Sequence, residues 1–103
     1  MQGEKNIPEL VKRAVFEIDH EAEVYLFGSR ARGDFNDESD WDFLILTNKE
    51  VNPESKAVFR RSIHEIESDT THNISFVLYG KSRWAELEIT PLYRNVEKDG
   101  IRL

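Results

Sequence analysis

Residues 27–46 read FGSRARGDFNDESDWDFLIL, and the fold is inferred outward from this stretch. One apolar run, Val24–Phe27, leads into it and ends at Gly28, and a second, Phe43–Leu46, closes it. Short unbroken apolar runs of this kind are typical of strands that are buried on both faces. The polar segment between the two runs is therefore predicted to connect two central strands of a sheet.

Helices are predicted before and after this stretch. Apolar residues recur at helical spacing over residues 7–19, where Pro8 suits a first-turn position. A second long helix is expected after Asn52-Pro53, a capping residue followed by the proline that favours a helix start. Both helices would present an apolar face to the sheet.

The last third of the chain predicts one strand and two short helices. Ile74–Tyr79 is rich in β-branched and aromatic residues and should form a third strand. Ser82 is expected to cap a short helix after it. Thr90-Pro91 is expected to open another helix, which Gly100 stops.

Length and composition fit a small globular protein. The chain has 103 residues, of which 39% are hydrophobic, and this suits a single domain over residues 1–103. Short apolar strands covered by helices predict an α/β (α+β) fold, with a small mixed sheet of three or four strands flanked by helices. Cysteine is absent, which excludes a disulfide framework and thiolate metal sites.

The charge balance excludes two classes of partner. There are 14 Lys and Arg against 20 Asp and Glu, for a net charge of −6. Such a chain repels nucleic acid and anionic membranes, so non-specific binding to either is not expected. The apolar runs are far too short for a membrane span, and the polar start MQGEKNIPE does not resemble a signal peptide. A cytoplasmic protein is the expectation.

The beginning of the 27–46 stretch contains residues suited to a phosphate. Gly28 permits a tight turn and a close approach to a ligand. Ser29 places a hydroxyl beside the N–H groups of a helix start, and Arg30 and Arg32 add charged donors. Ser39 is grouped with these nucleotide-binding candidates, although a turn-forming role in the loop is its simpler interpretation.

The end of the stretch contains two carboxylates. Asp40 and Asp42 are two residues apart, so an extended backbone turns both to the same side. Two converging carboxylates beside an apolar strand are costly unless a cation lies between them, and Mg²⁺ prefers such oxygen ligands. The plainer alternative is a solvated acidic turn. Phosphate binding beside a metal site suggests metal-assisted phosphoryl or nucleotidyl transfer.

Two other motifs are rejected. Gly28 and Gly33 have the spacing of P-loop glycines, but Asp34 follows where a lysine is required. An EF-hand loop starting at Asp34 would need glycine at Ser39 and glutamate at Ile45.

The spacing of these residues resembles a known family. Gly28-Ser29, ten residues and then Asp40-Trp41-Asp42 is similar to the G-S-x10-D-x-D signature of minimal nucleotidyltransferase domains, MntA-like antitoxins of the DNA-polymerase-β-like superfamily. The resemblance implies Mg²⁺-dependent transfer of a nucleoside monophosphate from an NTP, with ATP expected, to an acceptor hydroxyl. It assigns catalysis and the metal to Asp40 and Asp42, and the triphosphate to Gly28 and Ser29. It also implies a partner, because such domains often pair with helical HEPN proteins as toxin–antitoxin modules.

One departure from the family pattern opens a second hypothesis. The resemblance implies a third carboxylate on the Ile74–Tyr79 strand, where this chain has Asn73 or Ser75. Neither residue is a useful general base at neutral pH. The alternative function is therefore a weak or inactive nucleotidyltransferase-fold module that masks or regulates a HEPN-like partner.

Overall fold

The computed structural model describes residues 6–103 as alternating helices and strands. In chain order these are α1 (Ile7–Ile18), β1 (Glu23–Phe27), α2 (Ser29–Arg32), β2 (Trp41–Thr47), α3 (Pro53–Thr70), β3 (Ile74–Gly80), α4 (Lys81–Ala85), α5 (Pro91–Asp99) and β4 (Ile101–Arg102).

The strands form one mixed sheet in the order β3-β2-β1-β4. β1 is antiparallel to both β2 and β4, whereas β2 and β3 are parallel. The predicted mixed α/β fold is thus confirmed. The predicted order of elements lacked β4, because a strand of two residues is too short to show an alternating pattern.

Helices cover both faces of the sheet. α1 and α3 pack on one face, where Phe43 and Ile45 of β2 are fully buried. α5 covers the other face, where its Val96 packs on Leu44 and Leu46. Because β2 is buried on both sides, its apolar residues form an unbroken run in the sequence. No helix in the described part of the chain is both long and apolar enough to cross a membrane.

The helix starts show which capping predictions hold. Asn52 caps α3: its side chain accepts the Ser55 N–H at 2.8 Å, and the Ser55 hydroxyl accepts the Asn52 N–H at 3.0 Å. Thr90 caps α5 by accepting the Tyr93 N–H. The predicted Ser82 cap is wrong. Gly80 precedes α4, whose first turn has no side-chain cap.

A buried carboxylate ties the end of α1 to the end of β2. Asp19 accepts hydrogen bonds from the Thr47 hydroxyl at 2.6 Å, the Asn48 N–H at 2.9 Å and the Glu21 N–H at 3.1 Å. Burial acts to raise the pKa of Asp19, but these bonds and the charge of Lys49 outweigh it and hold the pKa below its usual value. The folded state therefore favours the ionised form of the Asp19 carboxylate.

Candidate active site

The register between β1 and β2 brings the two ends of the 27–46 stretch together. Phe27 is the partner of Asp42, so the chain turns at Gly28 directly beside that carboxylate. A methyl group added to Gly28 would collide with the Asp42 carboxylate group. The missing side chain therefore provides the space that the carboxylate occupies.

The backbone at this turn also requires glycine. Gly28 has φ 80° and ψ −162°, a region that is essentially restricted to glycine. Its carbonyl accepts the N–H groups of Ala31 and Arg32 at 3.0 and 3.1 Å. The N–H groups of Ser29 and Arg30 come before Ala31, the first residue whose N–H bonds within the helix, and no side chain caps this end. These donors are of the kind that anions use at helix starts.

Asp40 and Asp42 form a pair at the start of β2. Asp42 is half-buried and Asp40 is exposed. Burial raises the pKa of Asp42, and the negative charge of Asp40 raises it further, while Arg32 acts in the opposite direction. A cation between the two carboxylates would relieve both the burial of charge and the repulsion.

The donor set fits Mg²⁺ that is shared with phosphate oxygens. Among residues 6–103, no three His, Cys, Asp or Glu side chains come together as a metal site. The protein can therefore offer the carboxylates of Asp40 and Asp42, and a metal held there would need further ligands. Mg²⁺ is commonly bound in this way, by one or two carboxylates together with substrate phosphates.

On β3, the other strand beside β2, the residue paired with Asp42 carries a hydroxyl group. β2 and β3 are parallel, and their register makes Ser75 the partner of Asp42. Asn73 lies one step earlier, where its carbonyl accepts the Trp41 N–H at 3.0 Å. Of the two positions that the sequence left open, Ser75 is thus the neighbour of Asp42, and its side chain is exposed.

The Arg30 side chain is engaged by the loop that precedes Asp40. Its guanidinium donates to the Ser39 carbonyl through Nε at 3.3 Å and Nη2 at 3.0 Å, and to the Asp37 carbonyl at 3.3 Å. It also lies 4.6 Å from the ring centre of Phe35 and 4.2 Å from that of Trp41. In this structure Arg30 organises the loop. In the sequence, this role of Arg30 is indicated by two aromatic residues, Phe35 and Trp41, which flank the acidic segment 37–40.

The other two polar candidates also make contacts within the loop. The Arg32 side chain is exposed and donates to the Asp34 carboxylate at 3.3 Å. The Ser39 hydroxyl accepts the Asn36 N–H at 3.1 Å, which closes a turn. Arg32 remains close enough to Asp42 to influence its pKa.

A cavity of about 500 Å³ lies on the opposite face of the sheet from Asp42. Side chains alternate along a strand, so Trp41 points away from Asp42 and packs against the core under α1 and α3. His72 meets Trp41 edge-on at 6.4 Å and lines this cavity. Trp41 therefore packs in the core and does not face the carboxylates.

Comparison with known proteins agrees with this geometry. The sequence profile of the family described as "Nucleotidyltransferase domain" matches residues 7–103. The chain belongs to this family. The resemblance based on the Gly-Ser and Asp-x-Asp spacing is thereby confirmed. A search of curated protein sequences found no match to this chain.

Two solved structures share the fold of this nucleotidyltransferase domain. A mutant of the toxin–antitoxin complex MntA-HpeT contains a chain that is 17% identical, with a TM-score of 0.60, and the alignment covers 97% of this chain and 72% of that one. A candidate nucleotidyltransferase from Sulfolobus solfataricus is 24% identical, with a TM-score of 0.56, over 99% of this chain and 90% of that one. At these identities the likeness concerns the fold alone.

Proposed function

We propose that this domain transfers a nucleoside monophosphate from a Mg²⁺-bound NTP, with ATP expected, to an acceptor hydroxyl. The observation that supports the proposal is the contact between the Gly28 turn and the Asp42 carboxylate. It brings the N–H groups of a helix start next to a pair of oxygen ligands. A triphosphate and its metal need both kinds of group in one place.

Each candidate residue has a role in this proposal. Gly28 and Ser29 bind the phosphates through the turn, and Arg32 adds positive charge. Asp40 and Asp42 hold Mg²⁺, which when bound would neutralise phosphate charge and polarise the group under attack.

Arg30 and Ser39 contribute through the loop that positions Asp40. In the transfer step the acceptor oxygen bonds to the α-phosphorus as pyrophosphate leaves. The acceptor proton passes to solvent, because the Ser75 hydroxyl is not a useful base at neutral pH.

The proposed acceptor is a protein. The domain's likeness in fold to a chain of the toxin–antitoxin complex MntA-HpeT supports a role as the antitoxin of such a pair, with a HEPN-like helical toxin as the partner that is modified. We place this activity in the cytoplasm, where NTPs and Mg²⁺ are both available.

The nucleotide site is tested by titrating the protein with ATP, with and without Mg²⁺, while following backbone amide NMR shifts. We expect saturable, Mg²⁺-dependent shifts at Gly28–Arg32 and Asp40–Asp42, and their loss in Asp42→Asn. Asp37→Asn is the matched control, since it removes the same charge from an exposed position in the same loop. Shifts that are absent at millimolar ATP, or unchanged in Asp42→Asn, would overturn the proposal.

The second candidate function is the weak or inactive module that masks its partner, and Ser75 is the observation that favours it. The test is pyrophosphate release from Mg-ATP, with water as the acceptor, by the wild type and by Ser75→Asp, with Ser68→Asp as a control on the exposed face of α3. If the site binds nucleotide but lacks a base, Ser75→Asp should accelerate release by about 10²-fold, the lower range for a general base. A measurable rate of pyrophosphate release by the wild type, which Ser75→Asp does not raise, would favour the enzyme over the inactive module.

A further inference from the structure

The outer edge of β3 pairs with no strand among residues 6–103. The Trp41 N–H donates to the Asn73 carbonyl, and Ser75 is the partner of Asp42. In a parallel pair, this arrangement turns the backbone groups of the odd-numbered β3 residues toward β2 and those of the even-numbered residues outward. The outer edge is thus formed by the even-numbered positions.

A side chain already occupies the first of these outward positions. The Ile74 N–H donates to the Glu67 carboxylate at 2.8 Å, as expected for a group that points away from β2. The N–H and C=O groups of Phe76 and Leu78 come next along the same edge. They are two positions apart, which is the spacing at which an added strand forms its hydrogen bonds.

The sequence of this strand lacks the usual protection of an edge. β3 reads ISFVLYG, with no charged residue and no proline. Edge strands are normally kept from pairing with other chains by charges, prolines, bulges or a covering element. From Phe76 onward, beyond the position that Glu67 occupies, this edge is suited to pairing with a further strand.

Two adjoining cavities line the β3 edge beside α3. One of about 250 Å³ lies between Lys56, Arg60 and the segment 76–79. The next, of about 320 Å³, shares Arg60 and continues past His64 to Ile74. Together they make a groove along the strand.

Positive charge from α3 lines this groove. Lys56, Arg60 and His64 recur every four residues and so share one face of α3. Lys56 and Arg60 form no ion pair with any described residue, whereas His64 lies 3.4 Å from Glu67. In a chain of net charge −6, Lys56 and Arg60 place two cations beside the open strand, and the acid Glu67 lines the groove at its Ile74 end.

The positive charge continues beyond the end of the strand. There the groove opens into a cavity of about 800 Å³, which is lined by Lys49, Lys81 and Arg83 and by one acid, Glu50. Lys81 lies 3.9 Å from Glu23, and Arg83 pairs with Glu86 at 2.8 Å.

We propose that the β3 edge binds an extended acidic segment of a partner protein. The segment adds a fifth strand through the outward groups of Phe76 and Leu78, and its carboxylates face Lys56 and Arg60. A second copy of this chain fits less well, because its β3 strand carries no carboxylate to face Lys56 and Arg60. The inference stands whether or not the domain transfers nucleotides.

The probe is a ten-residue peptide of alternating glutamate and valine, followed by backbone amide shifts of the protein. We expect saturable shifts at Phe76, Leu78 and Gly80, and an apparent Kd weakened about tenfold or more in Lys56→Glu/Arg60→Glu. Arg94→Glu/Lys98→Glu is the matched control, with the same charge change at the same spacing on the exposed side of α5. It should bind the peptide as the wild type does.

Two further peptides separate strand pairing from simple charge attraction. A version with lysine in place of glutamate should not bind, and a version with every amide N-methylated should bind much more weakly, because neither of its edges can then donate to β3. Equal binding of the methylated peptide, or no shifts with millimolar acidic peptide, would overturn the proposal. So would concentration-dependent dimerisation that perturbs the same β3 amides, since the occupant would then be a second copy. Loss of ATP binding in Asp42→Asn leaves all of these outcomes unaffected.

Discussion

At Gly28 two requirements coincide, the φ value of +80° and the space taken by the Asp42 carboxylate. Gly28→Ala should therefore destabilise the protein by about 1–3 kcal/mol through backbone strain and displace the Asp42 carboxylate as well. We expect a lower midpoint of chemical denaturation together with loss of Mg²⁺-dependent ATP binding. Both are measurable on one sample by denaturation and by amide shifts.

The matched control for this substitution is Gly33→Ala. Gly33 also has a positive φ, of +90°, but no atom lies within 4 Å of an added methyl group. Gly33→Ala should cost about 1–2 kcal/mol from its backbone alone and should leave ATP binding intact. Equal effects of the two substitutions on nucleotide binding would contradict the role given to the Gly28 turn.

At the scale of elements, one side chain holds the loop between α2 and β2. Arg30 binds two loop carbonyls and lies against the rings of Phe35 and Trp41. Lysine lacks the planar fork and the ring-stacking surface, so Arg30→Lys should loosen this loop and cost about 1–2 kcal/mol. Hydrogen exchange at the Ser39 amide, which donates to the Asn36 carbonyl, should accelerate.

Arg32→Lys provides the comparison for this loop. Arg32 is exposed and makes a single contact, with Asp34, so its replacement should change stability by less than about 1 kcal/mol. If Arg30→Lys and Arg32→Lys had the same effect on hydrogen exchange at Ser39, the loop would not depend on Arg30.

The hydrogen bonds by which Asp19 connects α1 to the end of β2 predict that the stability of the protein depends on pH. The pKa of Asp19 is lower in the folded chain than its usual value of about 4, so its contribution to stability is complete above that pH and is lost as the pH falls through the folded value. Asp19→Asn should cost about 1–3 kcal/mol at neutral pH, because Thr47 and Asn48 lose an ionised acceptor. It should also reduce the loss of unfolding free energy as the pH falls from about 5 through the folded pKa of Asp19. Parallel curves for the two proteins would contradict this account.

At the scale of the whole molecule, the sequence predicts what depends on local pattern. The apolar runs around residues 27–46 indicated β1 and β2, and the ten-residue spacing between Ser29 and Asp40 indicated the family. These features are decided by neighbours in the chain, so one sequence is enough to infer them.

Features that depend on pairing between distant segments could not be predicted in this way. The choice between Asn73 and Ser75 as neighbour of Asp42 is decided by the β2–β3 register, which the sequence leaves open. The contacts of Arg30 depend on how the loop folds back over it. The open edge of β3 appears only when the order of the strands is known.

We propose that Asp40 and Asp42 bind a metal together with nucleotide phosphates at the Gly28 turn. The sharpest test substitutes Mn²⁺ for Mg²⁺ and measures paramagnetic broadening of the backbone amides in the presence of ATP. We expect selective broadening at Gly28, Ser29 and residues 40–42, its loss in Asp42→Asn and its retention in Asp37→Asn. Broadening that is centred elsewhere, or that survives in Asp42→Asn, would contradict the proposal.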